Sequence, residues 1–135
     1  MQRLLIIYTP DSDFKDIAEG IKEGAESQGF RVDIKNTNDI GNGVSFYPYD
    51  LILAGSPTRG IFKGKIDQSL NKFLSEAKRT VGKDAVAFVK PRFFATNKAL
   101  KKVMAALEEQ GCIVKNFKAI KDHQSAVEFG KNINI

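Results

Sequence analysis

The chain has 135 residues, a length that suits one domain, taken here as residues 1–135, with a sizeable buried core. Its hydrophobic share of 42% and charged share of 27% exclude the disordered and fibrous classes, and no apolar stretch approaches the roughly 20 residues of a membrane span. The net charge of +5 is concentrated: residues 78–121 carry 11 basic and 3 acidic side chains, a net of +8, which suits an acidic partner, a phosphate-bearing ligand or nucleic acid, or else is a solvated lysine surface.

In chain order, the short apolar run Leu4–Tyr8 predicts a first strand rather than a signal peptide, since no small-residue cleavage site follows it. Apolar residues at Phe14, Ile17, Ala18, Ile21 and Ala25 then have the period of a helix, and Gly29 stops it. Ser12 or Asp13 is expected to cap that helix, with Asp16 complementing its dipole. Phe30–Lys35 alternates apolar and charged residues, as an edge strand does. Residues 36–49 are rich in turn formers and predict an irregular crossover.

Leu51–Ala54 predicts a third, buried strand that ends in Gly55-Ser56-Pro57-Thr58-Arg59-Gly60. Phe62, Ile66, Leu70, Phe73, Leu74 and Ala77 then predict one amphipathic helix. Ala85–Val89 is a fourth strand, followed by Lys90-Pro91-Arg92-Phe93-Phe94-Ala95. One of those two phenylalanines is expected in the core, with Thr96 or Asn97 capping the next helix. That helix runs through Ala99, Leu100, Val103, Met104 and Leu107 and stops at Gly111. A fifth strand starts at Cys112 and runs to Val114, or on to Phe117 or Ile120, and a short helix around Ala126–Gly130 closes the chain. Cys112 reads as a buried small hydrophobe in a cytoplasmic protein, and a single cysteine leaves no set for zinc or an iron–sulfur centre.

Strands alternating with helices predict a three-layer, doubly wound α/β fold with a five-stranded parallel sheet in the order 2-1-3-4-5. Ligands of such sheets bind beyond the carboxyl ends of the strands, at the switch point between strands 1 and 3. The loops after strands 1, 3 and 4 should therefore meet.

Other site chemistries lack their residues. No G-x-G-x-x-G follows strand 1, GKIDQS is not a P-loop, and the single histidine, His123, has no evident nucleophile partner. Asp11 and Asp13 superficially match the acidic pair of a bacterial receiver domain, but strand 3 ends in Gly55-Ser56-Pro57-Thr58 where that domain needs an aspartate. The aromatics of the basic segment do not form an RNA-recognition pattern, so nucleic acid is not the expected partner.

The segment YDLILAGSPTRG resembles the third strand and flavin loop of the flavodoxin family, and EEQG and AVEFGKNI resemble its later helices. The similarity is to short-chain flavodoxins and the flavodoxin modules of larger flavoproteins. It implies FMN as cofactor and a redox partner protein, which the basic segment would make an acidic one. On that resemblance Thr9, Ser12 and Lys15 would hold the phosphate. Ser56, Pro57, Thr58, Arg59 and Gly60 would flank the flavin with Arg59 where the family often has an aromatic, and Arg92, Phe93 and Phe94 would close the far side. The first loop, YTPDSDFKD, departs from the family: it is one residue short, Asp13 stands near an expected glycine, and Asp11, Asp13 and Asp16 bring negative charge to the phosphate position. Two readings follow, an FMN-binding electron-transfer domain and a flavodoxin-fold interaction module that has lost FMN.

Overall fold

A computed structural model describes residues 2–39, 43–60 and 62–134, the Ser12 side chain excepted. The elements are β1 (Arg3–Tyr8), α1 (Ser12–Ser27), β2 (Arg31–Asn36), β3 (Leu51–Pro57), α2 (Gln68–Glu76), β4 (Asp84–Lys90), α3 (Thr96–Glu109), β5 (Ile113–Ala119) and α4 (His123–Lys131), with a 3₁₀ turn at Phe93–Ala95. All strand pairs are parallel, and their order is β2-β1-β3-β4-β5, as the alternation predicts.

The central strands read as unbroken apolar runs because both faces of the sheet are covered. Leu5, Ile7, Ile52, Ala54, Ala85, Ala87 and Val89 pack toward α2 and α3. Leu4, Ile6, Leu53, Val86 and Phe88 point the other way, into the layer that holds α1. Cys112 is buried, as expected. In β5 the pairing with β4 shifts after Ala85–Val114 so that Val86 meets Asn116, which leaves Lys115 as an extra residue in this edge strand.

Three local expectations are corrected. The α1 cap is Asp11, not Ser12 or Asp13: its carboxylate accepts from the Asp13 and Phe14 N–H groups. The helix predicted from Phe62 begins only at Gln68, behind an Asp67 cap, because Arg59 and Lys65 exchange two backbone hydrogen bonds of 2.8 Å that hold these two residues side by side ahead of it. Neither Thr96 nor Asn97 caps α3; the Thr96 hydroxyl instead accepts from the Arg92 N–H at 3.1 Å. The predicted irregular segment 36–49 carries no helix or long strand among its described residues, and residues 40–42 lie outside them.

Helices α1 and α4 pack closely through Gly20, Gly24, Ala126 and Gly130. His123 fastens one end of that contact. Its Nδ1 lies 3.1 Å from Asp16 Oδ1 and 3.0 Å from the Asp16 carbonyl oxygen, and its Nε2 lies 3.0 Å from Glu23 Oε2. The Glu23 hydrogen bond, then the Asp16 backbone and the two carboxylate charges, raise its pKa above the ordinary 6.5. A raised pKa means that the protonated form is favoured by folding. The contribution is complete below the unfolded value and fades as pH rises through the folded one. We expect the urea midpoint of the native chain to fall between about pH 6 and pH 8, and the same scan on His123→Gln to be flatter. An equal slope in both would show that this contact carries none of it.

Candidate functional site

Residues from the loops after β1, β3 and β4 do meet. Asp11, Asp13, Pro57, Thr58, Arg59, Lys90, Pro91 and Arg92 line one cleft of about 210 Å³ beyond the strand ends. The sheet builds it directly. Parallel pairing sets Pro57 of β3 beside Lys90 of β4, and the Thr58 N–H then donates to the Lys90 carbonyl at 3.2 Å.

Ser56 anchors the β3 loop from beneath. It is fully buried; its hydroxyl donates to the Pro57 carbonyl at 2.9 Å and accepts from the Asp67 N–H at 3.1 Å. Ser56→Ala should cost about 1–3 kcal/mol, because the Asp67 N–H at the head of α2 loses its partner. Chemical denaturation measures it, and a loss below about 0.5 kcal/mol would mean that water replaces the bond.

Two of the three basic groups that line the cleft have acidic partners. Arg59 Nη2 lies 3.2 Å from Asp67 Oδ2, and Lys90 Nζ lies 3.8 Å from Asp13 Oδ2. Partial burial pushes the Asp67 carboxyl up, but the Ser69 N–H and hydroxyl and the Arg59 guanidinium outweigh it and hold it below the ordinary carboxylate value. Arg92 makes no ion pair among the described residues.

Of the residues named from sequence, Pro57, Thr58, Arg59 and Arg92 line the cleft. Thr9 is fully buried at the end of β1, and Ser56 is buried behind the loop. Lys15 turns to Glu19 on the exposed face of α1, at 3.9 Å. Gly60 has φ +79 and open space about it. The Ser12 side chain lies outside the described residues. Phe93 and Phe94 do not line the cleft, and neither is in the core: they are 74% and 80% exposed. Phe94 stacks on Phe62, with ring centroids 6.0 Å apart and an interplanar angle of 2°. The sequence pattern misplaces Phe62 on the buried face of a helix, because a glycine-closed loop can carry an apolar residue at the same spacing.

An FMN phosphate needs free N–H donors at the start of α1. Pro10 has none. The N–H of Asp11 donates to the Thr9 carbonyl, those of Asp13 and Phe14 to the Asp11 carboxylate, and that of Lys15 to the Asp11 carbonyl. Asp11 and Asp13 also put two carboxylates into the cleft, whose size lies below the roughly 300–1,000 Å³ of pockets that enclose a ligand of this size. The residues present do not fit the phosphate of FMN at this helix. Two hydroxyls fit a ligand better: Thr9 Oγ1 and Thr58 Oγ1 are buried and without a hydrogen-bond partner among the described residues.

In sequence, no family model and no curated protein matches the chain. In structure it is similar to a flavodoxin from the Archaea, at TM-score 0.68 and 21% identity, covering 97% of this chain and 95% of that one. It is equally similar to oxidised Flavodoxin 1 of Bacillus cereus, at TM-score 0.68 and 17% identity over 99% and 100%. A WrbA-like flavodoxin from Agrobacterium tumefaciens follows at 0.63 and 16% over 97% and 94%. The property shared at these identities is the fold.

Proposed function

From a flavodoxin-like fold as the premise, we propose that this chain is a binding and interaction module on that scaffold, one that has given up the FMN site and docks an acidic partner. The observation that carries the first half is the Asp11 carboxylate, seated on the N–H groups of α1 that a flavin phosphate would need. The chain's own carboxylate already occupies the Asp13 and Phe14 N–H groups, so a phosphate there meets like charge and engaged donors. The net charge of +8 over residues 78–121 supports the second half.

The competing reading is an FMN-binding electron-transfer domain. The flavodoxins among the similar structures support it, as do the unpartnered Thr9 and Thr58 hydroxyls at the strand ends. One measurement separates the two. The purified protein should be colourless and should leave FMN fluorescence unquenched up to about 10 µM, a concentration that reveals any affinity tighter than about −7 kcal/mol. A yellow protein, or saturable quenching in that range, would overturn the proposal in favour of the electron carrier. Replacing Asp11 by serine and Asp13 by glycine together should then raise FMN affinity, since it removes both carboxylates.

A further inference from the structure

Beside the cleft lies a surface that its chemistry leaves unexplained. Exposed residues of two stretches form it, residues 59–60 with 62–66 and residues 90–102, and neither stretch contains an aspartate or glutamate. Between them they carry Arg59, Lys63, Lys65, Lys90, Arg92, Lys98, Lys101 and Lys102.

The fold locks the two segments together. Gly64, at φ +59, lies so close to α3 that a Cβ there would stand 2.6 Å from the Ala95 carbonyl and 2.9 Å from the Ala99 nitrogen. Lys102 Nζ donates to the Lys63 carbonyl at 3.1 Å. This docking brings Phe62 onto Phe94. Phe62 is itself 65% exposed, so the pair is a raised apolar knob rather than part of the core. Phe93 stands next to it with φ +48, a left-handed backbone that side chains other than glycine rarely adopt.

A single exposed phenylalanine needs no explanation; three in one patch, on a strained and tied-back backbone, do. Apolar anchors inside a charged rim are the anatomy of a protein-docking surface. The rim is of one sign. Arg59 and Lys90 have acidic partners, whereas Lys63, Lys65, Arg92, Lys98 and Lys101 form no ion pair among the described residues. The field there favours an anionic partner. Single-stranded nucleic acid binds separate aromatic platforms spaced along a groove, but here two of the rings cover each other.

We infer that the Phe62–Phe94 knob, with Phe93 beside it and the lysines of α3 as its rim, is the docking point for an acidic protein segment that presents apolar side chains between its carboxylates. This deepens the interaction half of the proposed function and rests on it. FMN uptake would sink the other half and leave the docking test intact.

The probe is a fluorescein-labelled peptide of alternating glutamate and leucine, followed by anisotropy, beside a labelled thymidine oligonucleotide and phosphatidylserine vesicles. The native chain should bind the peptide, more weakly at high salt. Phe94→Ala and the pair Lys98→Glu, Lys102→Glu should each weaken it by about tenfold or more. Phe93→Gly should weaken it while leaving the melting temperature unchanged or raised, because glycine accepts that backbone. Absent peptide binding, binding that ignores these substitutions, or tighter binding of the oligonucleotide or the vesicles would overturn the inference.

Discussion

Phe88→Ala is expected to destabilise the fold by about 3–5 kcal/mol, the usual cost of deleting a fully buried ring from a close-packed core. Phe88 has no exposure, and it stacks on Phe14 of α1 with centroids 5.3 Å apart and 14° between planes. On its other side it lies against Gly55 of β3, where a Cβ would stand 2.5 Å from the ring. Glycine is therefore required at 55 by the ring across from it, and Gly55→Ala should cost about 1–3 kcal/mol through overpacking. The two positions share one volume, so their effects should not add. Gly55→Ala with Phe88→Leu should be more stable than the sum of the single changes by at least about 1 kcal/mol. Urea denaturation of the four proteins measures the cycle, and simple additivity would show that Gly55 answers to something other than Phe88. The site is involved as well: Gly55 immediately precedes Ser56, so a displaced β3 moves the cleft loop with it.

The second large effect is at the α1–α4 contact. Gly24→Ala should destabilise by about 2 kcal/mol, although alanine gains about 1 kcal/mol over glycine in a helix interior. The reason is what the new methyl would meet. A Cβ on Gly24 would lie 2.1 Å from the Val127 carbonyl oxygen and 2.8 Å from the Lys131 nitrogen, and one on Gly130 would lie 2.3 Å from the Ile21 carbonyl oxygen. These are backbone atoms of the facing helix, which cannot rotate away as a side chain can. The helices must separate, and His123 then loses its reach to Asp16 and Glu23. Gly24→Ala should thus lower the melting temperature by roughly 5–10 °C and also flatten the pH dependence attributed to His123. A melting temperature at or above that of the native chain would show that the helices slide without cost.

The architecture could be read from the sequence because its signals are periodic. Buried runs such as Leu51–Ala54, the helical spacing from Phe14 to Ala25, and the alternation of the two types leave few topologies. The place of the cleft followed from the topology, and the aspartates that now line it were visible as a difference from the flavodoxin pattern that the sequence resembles. What could not be read depends on contacts between distant segments. Apolar spacing alone placed Phe62 on a helix; the paired backbone bonds of Arg59 and Lys65 and the close approach of Gly64 to Ala95 put it in a loop. The same contact decides that Phe94 leaves the core. Asp11 rather than its neighbours caps α1 because its extended backbone, φ −119 and ψ 131, turns its carboxylate back onto the helix. Composition cannot separate three adjacent candidates.

The Asp11 cap also bears on how the folded state relates to its surroundings. A domain that leaves a helix terminus open for a cofactor borrows part of its stability from that molecule, and its melting temperature rises with the free concentration of the ligand. Here the Asp11 carboxylate is covalently part of the chain, so its effective concentration at α1 is fixed and no outside supply alters it. On the proposed function such a domain reaches its final stability as soon as it folds, and its abundance in a cell would follow its own folding free energy without tracking flavin.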